Sequence, residues 1–229
     1  MNTLTNADTV VVLDFETTGL SPGYGDRAIE IGAVKLVGGE IAGRFQQLMN
    51  PGQRINAFIE DYTGITNNML KDAAPCEEVM QDFADFIGDY NLVAHNASFD
   101  ARFLEAELDR VNCNQHGPFA CSMLAARRIY PDAPNHKLGT LVSYKSLPND
   151  GTFHRALADA EMTTYLWLGL LDDIKQEHTF DVLGFDVIQK LSRTPKAAVA
   201  DFLKKQSDRQ NSNATKNIDP SNRESLIIG

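Results

Sequence analysis

A chain of 229 residues, 43% hydrophobic and 23% charged, has room for one large α/β domain with extensions and has the balance of an ordinary globular protein. Its longest apolar run, Tyr165 to Leu171, falls far short of the about 20 residues a bilayer-spanning helix needs, and the opening Met-Asn-Thr-Leu-Thr-Asn lacks the basic and apolar regions of a signal peptide. The net charge of −10 argues against a broad, non-specific grip on nucleic acid, but not against a nucleic-acid enzyme, because a cation-binding site must itself be acidic. Cys76, Cys113 and Cys121 form neither an even set nor a Cys-x-x-Cys and read as reduced thiols of a cytoplasmic protein.

Taken in order, the chain opens with Val10 to Leu13, the β-branched run of a buried central strand, ending in Asp14-Phe15-Glu16-Thr17-Thr18-Gly19. A turn-rich loop, Leu20 to Asp26, leads to a strand over Ala28 to Val37; Gly38-Gly39 signals a hairpin, and Glu40 to Met49 is the returning strand. Residues 55–74 carry no clear period beyond Thr63-Gly64-Ile65-Thr66, a turn into a helix capped by Thr66. Pro75 to Gly88 reads as an amphipathic helix through Val79, Phe83, Phe86 and Ile87. Asn91 to Asn96 is a short strand running into polar residues, and Ser98 is placed to cap a helix bearing Phe99, Phe103, Leu104 and Leu108. A second short strand is expected at Phe119 to Cys121, then helices over 122–130 and 137–146, a loop at Asn149-Asp150-Gly151 and a long helix from Arg155 to about Lys175. Helices over 179–192 and 195–205 follow, and the polar composition from Gln206 onward predicts a disordered tail. Three strands and then strand–helix alternation imply a mixed sheet with helices on both faces: a domain over 8–176, a helical extension over 177–205 and a tail over 206–229.

Within that frame four carboxylates and a histidine stand apart. Asp14 and Glu16 are two residues apart on a strand and project to the same side. Two acids at the end of a buried strand repel and desolvate each other, a cost that a divalent cation offsets. Asp100 falls in the first turn of its helix, where the dipole favours a negative charge by roughly 0.3–1 kcal/mol. Asp159 lies between Ala158 and Ala160, and small neighbours suggest close packing rather than a solvated face. His154 precedes it at a loop or helix start, where a side chain can move.

Asp14-Phe15-Glu16-Thr17-Thr18-Gly19, His95-Asn96-x-x-Phe99-Asp100 and His154-x-x-x-x-Asp159 together resemble the three exonuclease motifs of the DEDD superfamily in its histidine-bearing DEDDh branch, over roughly residues 8–176. That branch includes the proofreading subunit of bacterial replicative DNA polymerase, ribonuclease T and oligoribonuclease. Thr63-Gly64-Ile65-Thr66 resembles a segment of the proofreading-type members. The resemblance implies a ribonuclease H-like fold, a five-stranded mixed sheet flanked by helices. It also implies a two-metal 3′→5′ exonuclease releasing nucleoside 5′-monophosphates. By the same resemblance Asp14 would bridge two ions, Glu16 and Asp159 would complete the site that holds the attacking water, Asp100 would serve the second ion, and His154 would be the general base. An all-carboxylate set suits Mg²⁺ or Mn²⁺.

For the substrate, the candidates are Thr17, Thr18 and Gly19 by backbone approach, Leu20 as a stacking or wedging side chain, Asn96 on the nucleic-acid backbone and Phe99 on a base. Single-stranded 3′ ends are expected, DNA ahead of RNA, in DNA repair or proofreading. The alternatives are an RNA-trimming exoribonuclease and a docking subunit of a polymerase assembly. In the latter, the C-terminal region ending Ser225-Leu226-Ile227-Ile228-Gly229 would reach a polymerase or clamp.

Overall fold

The apolar run near the start of the chain becomes β1 (Val10–Thr17), buried almost throughout and placed inside the sheet. It pairs antiparallel with β2 (Ala28–Val37), which pairs antiparallel with β3 (Glu40–Asn50). Gly38 and Gly39 make the β2–β3 turn with φ of 60° and 84°, the left-handed region that a tight hairpin demands. Between β3 and the rest of the chain comes β4 (Ala74–Pro75), parallel to Met49 and Asn50 at the sheet edge. On its other side β1 pairs in parallel with β5 (Asn91–Ala94), and β5 with β6 (Phe119–Cys121). This computed structural model describes residues 5–113, 116–149 and 154–216; the expected loop residues Asp150 and Gly151 and the Ser225–Gly229 end lie outside them.

The sheet therefore has the order β4-β3-β2-β1-β5-β6, six strands where five were expected. The extra one is two residues long and contains a proline, which has no N–H to donate and is tolerated only at an edge. Nothing so short carries a period.

Strand alternation sorts the two cores. Val10 and Val12 join Val34, Leu36 and Val93 beneath α5 (Ser122–Ile129), α6 (Leu138–Tyr144), α7 (Ala156–His178) and α8 (Phe185–Arg193). Val11, Leu13 and Phe15 join Ile31, Ala33 and Leu92 beneath α3 (Cys76–Ile87) and α4 (Ser98–Arg110). By the same alternation Asp14 and Glu16 belong to the side of the sheet that α7 covers. Ala97, not Ser98, occupies the cap position of α4 and makes no side-chain cap bond.

Trp167 fixes α7 in place. It is fully buried, and its indole N–H donates to the Ala7 carbonyl at 2.7 Å. Truncating a buried tryptophan costs about 3–5 kcal/mol. Two short helices, α1 (Ala57–Thr63) and α2 (Asn67–Lys71), fill the stretch without a period. Asn56 and Thr66 cap them by accepting from the N–H groups of Ile59 and Met69. At the other end, α9 (Val199–Lys216) continues well past the boundary expected at 205. Its composition is polar, yet Leu203 and Ser207 are buried, the Ser207 hydroxyl donating to the Thr179 carbonyl at 3.2 Å. One anchored residue per turn is too thin a stripe to show through such a composition. Among the described residues no helix is long and apolar enough to cross a membrane.

Candidate active site

Three elements converge at the C-terminal end of β1. From β1 itself come Asp14 and the almost buried Glu16. From the first turn of α4 comes Asp100, buried, whose Oδ1 accepts from the Phe15 backbone N–H at 3.3 Å. From the start of α7 comes Asp159, whose Oδ2 accepts from the His154 N–H at 3.1 Å. One ligand atom each from Glu16, His154 and Asp159 lie within 4.8 Å of one another. His154 sits just ahead of α7 with φ 61°, a left-handed conformation uncommon for a residue with a β-carbon.

The electrostatics are those of acids forced together. Burial pushes the Glu16 carboxyl up to about 8, helped by the charges of Asp159, Glu30 and Asp100. Asp14 is raised well above the usual carboxylate range, first by burial and then by Asp100, Asp159, Glu16 and Glu30. Burial raises Asp100 to about 7, against two backbone N–H groups that favour its ionised form. Asp159 is also raised by burial, while the His154 N–H and charge pull the other way. Such a cluster is poorly matched to standing as bare anions and well matched to a divalent cation, whose charge reverses the local balance. The four carboxylates are the all-oxygen donor set that a hard cation takes. The described residues thus fit the metal expected of them.

A neighbour that the sequence did not single out is Tyr62 of α1. Its ring lies 4.0 Å from that of His154, and Phe58, one turn earlier, stacks on it at 5.8 Å with the planes 12° apart. Both aromatics are exposed, Phe58 by 69% and Tyr62 by 50%. The acids are close enough to be felt: burial, Glu16, Asp159 and Asp14 all raise the Tyr62 phenol. The only hint in the sequence was a pair of aromatics four residues apart. A seven-residue helix is too short to display the period that would have exposed it.

Among the expected substrate residues, Leu20 is 74% exposed just beyond β1. Gly19 is packed against Asp26: a β-carbon there would fall 2.5 Å from both carboxylate oxygens. The same carboxylate takes the Thr18 hydroxyl at 3.3 Å and the Ser21 N–H at 2.9 Å, so Asp26 shapes the turn that presents Leu20. Thr17 is nearly buried and spends its hydroxyl on the Gly19 carbonyl at 2.6 Å. Asn96 is exposed with φ 72°, beside a His95 whose ring nitrogens meet Ser122 and the His136 carbonyl at 2.8 and 2.9 Å. Phe99 packs on Phe103 at 4.9 Å and borders the α3–α4 core, which makes it as much a core residue as a surface one.

A mixed sheet whose central strand delivers two acids to a third from a helix start and a fourth beside a histidine is an arrangement suited to phosphodiester hydrolysis. The chain belongs to the RNase_T exonuclease family, whose profile matches residues 11–167. Relatives include the PolC-type DNA polymerase III of Bacillus cereus, 43% identical over 169 residues. That of Listeria monocytogenes is 38% identical over 174 residues. These matches cover 73% and 76% of this chain but 12% of each relative, so the chain spans about an eighth of the polymerases it resembles. Among solved structures, exonuclease X in complex with 5′ overhanging duplex DNA superposes with a TM-score of 0.62 at 24% identity, covering 80% of this chain and 99% of that one. The nuclease domain of 3′hExo, a DEDDh family member bound to rAMP, gives 0.62 at 23%, covering 72% and 92%. The fold is thus that of the DEDDh 3′-exonucleases.

Proposed function

We propose that this chain is a divalent-metal-dependent 3′→5′ exonuclease that removes nucleoside 5′-monophosphates from single-stranded DNA 3′ ends, in a repair or proofreading setting. The observation that carries the reading is the convergence of Glu16, His154 and Asp159 within 4.8 Å at the end of β1, with Asp14 and Asp100 adjoining. Asp14, Glu16, Asp100 and Asp159 would hold two ions, Mg²⁺ or Mn²⁺, which when bound supply charge neutralisation at the phosphate and a more acidic attacking water. His154 takes the proton from that water; an imidazole suits this because its ordinary range lies near working pH. Tyr62 packs at a tilt against the His154 ring and holds it toward the acids, and its exposed face with Phe58 offers a platform for a base. Leu20 contributes an apolar contact at the terminal nucleotide. The preference for DNA is drawn from the polymerase relatives.

The test is a gel time course on 5′-labelled blunt, 3′-recessed and 3′-overhanging DNA and on a matched single-stranded RNA, each with Mg²⁺, Mn²⁺ or chelator. Metal-dependent stepwise shortening of DNA from the 3′ end is the expected result. Faster shortening of RNA would move the substrate to an RNA 3′ end. No shortening of any substrate would remove the enzymatic reading and leave a polymerase-docking role, with the C-terminal region as its contact.

A further inference from the structure

We propose that Glu30 and Arg155 are a positioning pair that sets His154 and Asp159 against Glu16; the inference rests on the reading of that cluster as a phosphodiesterase site. Glu30 is a fifth acid at the same end of the sheet, directly across from Glu16 in the β1–β2 register. It is completely buried, yet it is not placed as a ligand. Its Oε1 accepts from Arg155 Nη2 at 2.7 Å and from Gln46 Nε2 at 2.9 Å, and its Oε2 accepts from Arg155 Nε and from the Ala156 N–H, both at 3.1 Å. Four donors use the acceptor capacity of a carboxylate, so nothing is left for a cation.

What Glu30 holds is the joint on which the site depends. Arg155 is the residue after His154 and occupies the N-cap position of α7, and Ala156 is the first residue of the helix that bears Asp159. A two-pronged guanidinium–carboxylate contact fixes orientation as well as distance. Directly beneath, Gly32 lets the helix start sink onto β2: a β-carbon there would fall 2.1 Å from the Leu157 nitrogen. The helix entrance is therefore pressed down by shape and pinned by charge. His154, just before it, keeps a left-handed φ, with a ring nitrogen within 4.8 Å of carboxylate oxygens of Glu16 and Asp159. The Arg155 charge is also felt at Glu16, while its guanidinium stays engaged by both oxygens of Glu30.

The experiment uses the full chain with Glu30→Gln, Arg155→Ala, Arg155→Lys and the double variant Glu30→Met with Arg155→Met. Single-turnover and steady-state rates on a short single-stranded DNA are read well below the unfolding temperature, alongside Mn²⁺ affinity by electron paramagnetic resonance and urea midpoints. Misplacement of a reacting group by about 1 Å costs about 100-fold in rate. The single variants Glu30→Gln and Arg155→Ala are expected to lose kcat on that scale with KM within about twofold, and Arg155→Lys to recover part of it. The double variant, which leaves no buried charge unpaired, is expected to fold stably and still be slow. A double variant with wild-type kcat, or losses that track only the folded fraction, would overturn the proposal. A wild-type chain that hydrolyses nothing would instead overturn the nuclease reading. In that case weakened Mn²⁺ affinity in Arg155→Ala would still support the pair, and unchanged affinity would overturn it.

Discussion

Replacing Glu16 by Gln removes one charge from the acid cluster, and the structure fixes the sign of the effect on the metal-free fold. In the folded chain the Glu16 carboxyl titrates at about 8 against an ordinary 4.5. The folded state therefore binds this proton more tightly than the unfolded state, and stability falls as pH rises through that window. At about 1.4 kcal/mol per tenfold change in proton activity, the full loss is on the order of 5 kcal/mol, most of it between pH 5 and pH 8. Urea unfolding in chelator at both pH values reads it directly. Wild-type protein should lose stability toward pH 8, and Glu16→Gln should lose several kcal/mol less, because the amide cannot ionise and its neighbours lose a repelling charge. Saturating Mg²⁺ should reverse the slope for wild type, since it binds the ionised form. A variant with the same pH slope as wild type in chelator would refute the argument that these acids are held together against their repulsion.

His154→Ala should lower kcat by about 10²–10⁴-fold and leave Mn²⁺ affinity nearly intact, measured by single-turnover hydrolysis and metal titration; lost metal binding would make it a ligand instead. Tyr62→Ala should weaken single-stranded substrate binding by about 1–3 kcal/mol, read as KM on short oligonucleotides, with a smaller loss of kcat from the freed His154 ring. An unchanged KM would mean the exposed face of Tyr62 touches no base. Gly32→Ala forces a β-carbon against the backbone of Ala156 and Leu157 and should cost about 1–3 kcal/mol in a urea melt while lowering turnover. Full activity would show that the start of α7 can shift without harm.

The metal-ligand candidates were legible because each sits where chain geometry advertises it. Alternation along β1 put Asp14 and Glu16 on one side, a helix start flagged Asp100, and small neighbours set Asp159 apart from a solvated face; the close approach of Gly32 is to Ala156 and Leu157, one turn earlier. Glu30 was not legible. It stands between Ile29 and Ile31 in a strand, and nothing local tells a buried, fully paired carboxylate from a solvated one; its partner is 125 residues away. Tyr62 was missed for want of a helical period, β4 for want of length, and the outer turns of α9 because their anchors are single residues in a polar sequence. In each case the missing information is a long-range contact. The motifs carried the candidate groups, while what holds those groups in place was written in residues with no local signature.

That division also bears on how a chain of net charge −10 handles a polyanion. Part of its cationic surface is already engaged within the fold. Arg27 is bound to Glu107 and Glu77, Arg155 to Glu30, Arg44 to Glu161, and Arg128 donates to the Thr194 carbonyl. Among the described residues beside the acids, Tyr62 and Phe58 at the histidine and Leu20 on the turn beyond β1 offer exposed apolar surface. On the proposed reading, a grip built from stacking and from cations held by the acids would select for a strand end whose bases are already unstacked, because a duplex hides those faces. On that reading the acidity would itself be a source of selectivity: without metal the cluster would repel a phosphate, and with metal it would attract one only where the carboxylates converge.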